Sequence, residues 1–301
     1  MVAGDTNRFP DVFLKNISSG VITRVNTATD GSQALGGQSF GTGISADGRY
    51  VAFESTAANL VVGDTNNDWD VFLKDTMTGR TTRVSTAVDG AQADRGSPDR
   101  YYYAPVISAD GRYVAFSSAA SNLVPGDTNK TSDIFLKDTL TGNIDRVNTA
   151  PDGTQANQGP RPSHWAENLA ISQDGRYVVF NSLATNLVPG DTNGFEDIFL
   201  KDTKTGVITH INTTADGTPA NAPSYAHRQL AISPDGRYVY FTSGATNLEP
   251  NPYEGYQFGE RIFRKDTVTG ALARIGVGIN GTHYNGESPA VSADGRYVVF
   301  E

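Results

Sequence analysis

Short apolar runs alternate with turn-forming residues along the whole chain. Residues 104–153, for example, contain four such runs, at 104–108, 113–117, 133–138 and 143–148, separated by Asp-Gly, a longer polar loop and Thr-Gly. An Asp-Gly pair tolerates the positive φ of a tight hairpin, and alternating aromatic and β-branched residues favour strands. No stretch of ten residues has helical periodicity. The pattern predicts four short antiparallel strands.

This four-strand pattern repeats through the chain. The motif Ser-x-Asp-Gly-Arg-Tyr-Val occurs five times, at spacings of 63, 64, 61 and 59 residues, with its aspartate at Asp47, Asp110, Asp174, Asp235 and Asp294. Two further blocks, Gly-Asp-Thr-Asn and Phe-Leu-Lys-Asp-Thr-x-Thr-Gly, follow it in several copies. Four strands repeated at this period are typical of β-propeller blades.

We therefore predict an all-β fold, a five-bladed β-propeller of four-stranded antiparallel blades, in a single domain over residues 1–301. Four units lie near 39–90, 104–153, 167–217 and 228–281. Residues 287–301 supply strands one and two of the fifth blade and residues 1–30 supply strands three and four, so N- and C-terminal strands together close one blade. Both ends fall within one loop, a pattern also typical of an excised or engineered propeller, and this alternative stays open.

The amino-acid composition excludes several classes of function. The 301 residues include no cysteine, which excludes disulfide frameworks, cysteine-ligated metals and thiol catalysis. A net charge of −9 argues against nucleic-acid binding, which needs a basic face. No apolar run has the length of a membrane span, so no membrane insertion is expected. The opening residues lack the basic and apolar regions of a signal peptide.

The pattern Ser-x-Asp-Gly-Arg-Tyr-Val-x-Phe, followed by Asp-Ile-Phe-Leu-Lys-Asp-x-x-Thr-Gly, resembles the TolB-type, WD40-like (PD40) β-propeller repeat of bacteria. The resemblance covers essentially the whole chain. It implies a propeller with a non-enzymatic binding or scaffold role, periplasmic or extracellular, and no catalytic residues. TolB-type propellers more often have six or seven blades, so five units depart from the common pattern.

The Gly-Asp-Thr-Asn loops are candidate calcium sites. Each places an Asp, an Asn two residues on and an Asp four residues further, and Ca²⁺ takes six to eight oxygen ligands. The alternative is purely structural, because Asp and Asn also form local turns with their own backbone. No cofactor other than Ca²⁺ is indicated. The candidate ligands are Asp5, Asn7, Asp11, Asp64, Asn66, Asp70, Asp127, Asn129, Asp133, Asp191, Asn193 and Asp197.

The loops that join one unit to the next are rich in aromatic residues and histidine. They lie at the same end of the strands as the Gly-Asp-Thr-Asn loops, because strands alternate in direction. Rings with hydrogen-bonding neighbours suit a glycan or an extended peptide, so we expect a glycan or protein partner on this face. Packing of these side chains on one another is the alternative. The candidates are Tyr101, Tyr102, Tyr103, His164, Trp165, Tyr225, His227, Arg228, His283 and Tyr284.

Two other functions remain open. A polysaccharide-active glycosidase or lyase needs two carboxyl groups about 5–10 Å apart, and Glu167 and Glu287, at the start of two innermost strands, are the plausible pair. A purely structural propeller would bind no ligand. We expect a monomer, with strand exchange between chains as the alternative route to closing the blade.

The metal hypothesis makes a direct prediction. Because a ligand that binds only the folded state stabilises it by mass action, Ca²⁺ in these loops should raise the melting temperature by several degrees over an EDTA control. Asp127→Ala with Asp191→Ala should abolish the rise. A melting curve that is the same in EDTA and in millimolar Ca²⁺ would leave the loops as structural turns.

Overall fold

The computed structural model describes residues 2, 4–96, 104–159, 169–224, 230–249, 260–279 and 284–301. Within these ranges the chain forms strands, turns and loops and contains no helical residue. Nothing in them has the length and apolar character of a membrane-spanning helix. The chain divides into two compact units, Met1–Arg146 and Val147–Glu301, which we describe separately.

The first unit contains one two-stranded and two four-stranded sheets, all antiparallel and in sequence order. The two-stranded sheet is β1 (Phe13–Lys15) and β2 (Ile22–Arg24). The next sheet is β3 (Ser39–Ile44), β4 (Tyr50–Ser55), β5 (Asp70–Asp75) and β6 (Thr81–Arg83). The third is β7 (Val106–Ile107), β8 (Tyr113–Ser118), β9 (Asp133–Asp138) and β10 (Ile144–Arg146).

The second unit contains two four-stranded antiparallel sheets followed by one two-stranded sheet. Its first sheet is β11 (Leu169–Ile171), β12 (Tyr177–Ser182), β13 (Asp197–Asp202) and β14 (Ile208–His210). Its second is β15 (Ala231–Ile232), β16 (Tyr238–Ser243), β17 (Arg261–Asp266) and β18 (Leu272–Arg274). The last is β19 (Ala290–Val291) and β20 (Val298–Val299).

The strands agree with the sequence analysis. In residues 104–153 all four predicted strands form, and the first and fourth are shorter than predicted, as β7 and β10. Pro105 explains the late start of β7, because proline has no N–H to donate to a ladder. The strand order confirms an all-β fold of four-stranded antiparallel sheets. The number of blades and the closure of one blade by both chain ends stay predictions, as does the single domain.

A pair of phenylalanines forms the centre of each four-stranded sheet. Strand two and strand three place them directly opposite each other, as in Phe53 with Phe72 and Phe180 with Phe199. All eight rings are fully buried, and the ring centroids of each pair are 5.6 to 5.9 Å apart. Such cross-strand aromatic contacts stabilise a sheet beyond the area they bury.

The repeated Ser-x-Asp-Gly-Arg motif forms the hairpin between strands one and two. In the first complete copy, Ser45 Oγ donates to Asp47 Oδ1 at 2.6 Å and accepts the Tyr50 N–H at 2.9 Å. Asp47 also accepts the Arg49 N–H, and Gly48 has a φ of +74°, a conformation that favours glycine. The serine hydroxyl donates to the aspartate of its own hairpin in all five copies.

The repeated lysine of strand three contacts the preceding repeat. Lys137 Nζ, for example, donates to the backbone oxygen of Thr86 at 2.8 Å. Lys74, Lys201 and Lys265 make the same bond to Thr27, Thr149 and Thr213 at 2.7 to 3.0 Å. All four are at most 6% exposed. These lysines are therefore buried at the contact between successive repeats, although lysine is mostly exposed in proteins.

The aspartate that follows each lysine pairs with the hairpin arginine of its own sheet. Arg112 Nε and Nη2 donate to the two carboxylate oxygens of Asp138 at 3.0 and 2.7 Å, and three other sheets repeat this fork. The Arg112 hydrogen bonds lower the pKa of Asp138 from 3.8 to about 2. Each arginine also stacks over the following tyrosine, at 4.9 Å in the case of Tyr113.

Acid should therefore weaken the fold through these carboxylates. A carboxyl whose pKa is lower in the folded state adds stability above its unfolded pKa, and this is lost as the pH falls through the folded pKa. For Asp138 the contribution is complete above about pH 4 and lost near pH 2. We predict that Arg112→Met lowers the urea midpoint at pH 7 and that variant and wild type converge as the pH approaches 2.

Arg296→Met is the matched control, because Arg296 occupies the same hairpin position but makes no ion pair within the described ranges. This control should reproduce the wild-type pH dependence. A gap between Arg112→Met and wild type that stays constant from pH 7 to pH 2 would contradict the assignment.

Candidate functional site

Each Gly-Asp-Thr-Asn loop is held by its asparagine. Asn7 Oδ1 accepts the N–H of Phe9 two residues on, and the equivalent bond forms in the other three copies. The Asn7 amide also donates to Asp11 Oδ1 and to the backbone oxygen of Ala34, both at 3.0 Å. The asparagine side chain is therefore engaged by protein groups on both its oxygen and its nitrogen.

In three copies an arginine from strand four contacts both aspartates. Arg24 contacts Asp5 and Asp11, Arg83 contacts Asp64 and Asp70, and Arg146 contacts Asp127 and Asp133, all at 3.2 to 3.5 Å. In each of these three loops one guanidinium therefore lies against both carboxylates that the sequence analysis listed as candidate Ca²⁺ ligands. No group of three or more His, Asp or Glu side chains arranged to hold a metal occurs in the described parts of the chain.

The fourth loop is different, because its strand-four residue is His210. His210 Nε2 lies 3.3 Å from Asp197 Oδ1, and its ring packs on Phe199 at 5.2 Å. Asp191 Oδ1 and Asp197 Oδ2 are buried and accept no hydrogen bond from the described residues. Burial, with the neighbouring Asp197 charge, raises the pKa of Asp191 to about 6. The two carboxylates of this loop therefore have a histidine beside them in place of the arginine of the other three loops.

In the fifth copy the charges are reversed, with one carboxylate between two arginines. A single carboxylate, Glu249, lies between Arg261 at 3.2 Å and Arg274 at 3.1 Å. The sequence at this place is Glu-Pro-Asn-Pro, beginning at Glu249, instead of Gly-Asp-Thr-Asn. The repeats therefore share one position for paired charges and differ in which charges fill it.

Most of the aromatic candidates lie outside the described residues. This applies to Tyr101, Tyr102, Tyr103, His164, Trp165, Tyr225, His227, Arg228 and His283, and also to Glu167. Tyr284 is described and 53% exposed, and its backbone oxygen accepts a hydrogen bond from Arg274. Glu287 pairs through its backbone with Glu301. The aromatic face and the pairing of Glu167 with Glu287 stay predictions.

A second set of polar residues was missed by the sequence analysis. The penultimate residue of strand two is Glu54, Ser117, Asn181 or Thr242 in the four complete sheets. All four are at most 6% exposed, and a side-chain oxygen of each lacks a hydrogen-bond partner among the described residues. The available signal was a polar and variable position within a strand that is otherwise apolar and repeated.

Glu54 is the most perturbed of these residues. It pairs in register with Phe40 on β3 and Val71 on β5, and the Phe40 ring lies 5.8 Å from that of Trp69. Burial in these surroundings raises the pKa of Glu54 to about 8, because desolvation penalises the charged form. The carboxyl is therefore mostly protonated at neutral pH.

Comparison with known proteins identifies the fold. Searches against protein-family models and against curated sequences return no match. Among solved structures, TolB from Acinetobacter baumannii aligns with 96% of this chain and 53% of its own, at 17% identity and a TM-score of 0.50. TolB from Agrobacterium tumefaciens aligns with 96% of this chain and 76% of its own, at 19% identity and a TM-score of 0.51. This chain thus spans about half the length of the first TolB.

An oligogalacturonate lyase in complex with manganese aligns as well, with 97% of this chain and 66% of its own, at 14% identity and a TM-score of 0.50. At these identities the alignments establish the fold alone. The class is that of the β-propellers. Within it the chain has the TolB-type propeller fold, as the repeat motifs indicated.

The histidine loop gives a stability prediction. A carboxyl whose folded pKa is raised costs stability above that pKa, and the cost disappears as the pH falls below the unfolded value. For Asp191 this cost is fully present above about pH 6. His210→Arg restores the permanent cation of the other loops, so it should raise the melting temperature at pH 8, by about 2–4 °C per kcal/mol gained. The gain should shrink at pH 5.

The reciprocal substitution Arg146→His is the control. It should lower the melting temperature at pH 8, because it leaves Asp127 and Asp133 facing a neutral imidazole. Effects of the same sign at pH 8, or a lower melting temperature for His210→Arg together with a higher one for Arg146→His, would show that charge at this position does not determine its stability.

Proposed function

We propose that the protein is a non-enzymatic binding propeller that holds a protein or glycan ligand at the loop end of its sheets. The observation that carries this proposal is the strand-two position of Glu54, Ser117, Asn181 and Thr242. Its side chains are buried, polar and different in each sheet, while the residues around them repeat. Repeated residues of a repeat protein support the repeat, so variation at one buried position favours a role outside it.

The place of these four residues along strand two also suits a ligand-binding face. Strand two runs from the Asp-Gly hairpin towards the Gly-Asp-Thr-Asn loop, so its penultimate residue lies near the loop end of the sheet. The sequence analysis expects the aromatic connections at that same end of the sheets. Buried polar atoms without partners cost free energy unless a ligand or water satisfies them. Ligand atoms that complete these hydrogen bonds would give both affinity and specificity.

Localisation outside the cytoplasm, in the periplasm or beyond, is part of the proposal. Its support is the TolB-type fold. The net charge of −9 gives no basis for nucleic-acid partners. The proposal does not include Ca²⁺, because one guanidinium already pairs with both carboxylates in three of the four Gly-Asp-Thr-Asn loops.

An enzymatic role is the second candidate, and Glu54 is the residue that favours it. A carboxyl with a pKa of about 8 is held protonated, as a general acid must be. Glu54→Gln separates the candidates, since an enzyme of this kind would lose turnover of polysaccharide, whereas a binding propeller would have no turnover to lose.

The binding proposal predicts that the polar side chains at the penultimate position of strand two lower the free energy of unfolding. Thr242→Val keeps the side-chain shape and removes a buried hydroxyl without a partner, so it should raise stability by about 1 kcal/mol. Ser117→Ala should leave stability unchanged or raise it. Both variants should lose binding on glycan and peptide arrays that the wild-type protein recognises.

Ser118→Ala is the matched control for Ser117→Ala. The two serines are adjacent and equally buried, but Ser118 Oγ accepts the Ala120 N–H at 3.1 Å. Its loss should cost about 1 kcal/mol. If Ser117→Ala and Thr242→Val destabilise the protein as much as Ser118→Ala does, their hydroxyls serve the fold and the proposal fails.

A further inference from the structure

A cavity of about 720 Å³ lies in the first unit at the other end of the sheets, away from the proposed ligand face. Residues of the β3–β6 sheet form one wall, and the hairpins at the Asp-Gly and Thr-Gly turns of the β7–β10 sheet form the other. Its volume is within the range of small-molecule sites, about 300–1,000 Å³.

The cavity is lined by five basic side chains, Arg49, Arg80, Arg83, Arg112 and Lys137, and by two acidic ones, Asp75 and Asp110. Three of the arginines already have carboxylate partners. Arg49 pairs with Asp75, Arg112 with Asp138, and Arg83 with Asp64 and Asp70. Asp110 accepts hydrogen bonds from Ser108 Oγ and the Arg112 N–H.

The two basic lining residues without an ion pair among the described residues are Arg80 and Lys137. The Lys137 ammonium group donates to the backbone oxygens of Thr86 and Ala87 and has no ion pair with a described carboxylate. Burial lowers its pKa, so a nearby anion would stabilise its charged form. The guanidinium of Arg80 is exposed and makes no hydrogen bond or ion pair within the described ranges.

Arg80 is also specific to this repeat. It follows the Thr-Gly turn, at the position filled by Val21, Asn143, Val207 and Ala271 in the other copies. Those residues are uncharged, so the repeat framework does not require a cation there. A guanidinium presents a planar fork that matches the two oxygens of a carboxylate or phosphate.

We propose that this cavity binds a small oxyanion ligand, a carboxylate or a phosphate, through Arg80 with Lys137 as the second cation. The site goes beyond the proposed binding face, because Arg80 and Lys137 lie beside the hairpin turns and the lining contains none of the four strand-two residues of that face. The bound anion bridges the strand-four edge of one sheet and the hairpins of the next.

Isothermal titration with citrate and with pyrophosphate at low ionic strength tests the site and distinguishes its two chemistries. We expect at least one probe to bind, and Arg80→Ala to weaken binding at least about tenfold, which corresponds to 1.4 kcal/mol. Thr82→Phe, which fills the cavity from β6 without changing charge, should abolish binding. Thermal melting without ligand verifies that each variant folds.

Lys204→Ala is the matched control, because Lys204 is an exposed cation on the equivalent Thr-Gly turn of the β11–β14 sheet. It should leave the affinity unchanged. Binding of neither probe to the wild type would overturn the proposal. So would a loss of affinity in Lys204→Ala equal to that in Arg80→Ala, since attraction would then reflect general charge. Retained binding in Thr82→Phe would place the anion elsewhere and overturn it too.

Discussion

The structure depends on the hydrogen bonds that the buried lysine of strand three makes to the preceding repeat. A single four-stranded sheet of this size cannot bury both its faces, so each repeat is stable only against a neighbour. The lysine ammonium links Lys74 to Thr27, Lys137 to Thr86, Lys201 to Thr149 and Lys265 to Thr213. Burying an ammonium is costly unless its donors are satisfied, and the backbone carbonyl oxygens satisfy them at a fixed place. The link therefore sets the register of one repeat on the next.

With that framework constant, differences between repeats become informative. The paired-charge position of the loops holds Asp-Asp-Arg three times, Asp-Asp-His once and Arg-Glu-Arg once. The fold tolerates these exchanges because each keeps opposite charges in contact. The polar position of strand two and the residue after the Thr-Gly turn also vary, and at the strand-two position a buried side-chain oxygen of each residue lacks a partner among the described residues. Positions that vary while the residues around them repeat are the candidate binding positions, and the repeated residues form the scaffold.

The sequence was sufficient for the features that arise locally. Strand positions follow from alternation, and the hairpin bonds of Ser45 and Asp47 lie within five residues of chain. Contacts that depend on which strands pair, and in which register, could not be predicted from the sequence. Arg83 reaches Asp64 and Asp70 only because β5 and β6 are paired in one register, so the loops looked like cation sites with no resident cation. The burial of Lys137 was likewise hidden, because a charged residue in a strand normally points to solvent.

The lysine link also has a direction. Each repeat presents an ammonium donor on one side and a carbonyl acceptor on the other, so the contact is heterologous and no two repeats can satisfy each other completely. Contacts of this kind leave one donor and one acceptor unused at the ends of any linear series. The link itself contains no information about how many repeats should follow one another. The number of repeats must therefore be determined by the angle between successive sheets. The lysine link determines only which side of one repeat contacts the next.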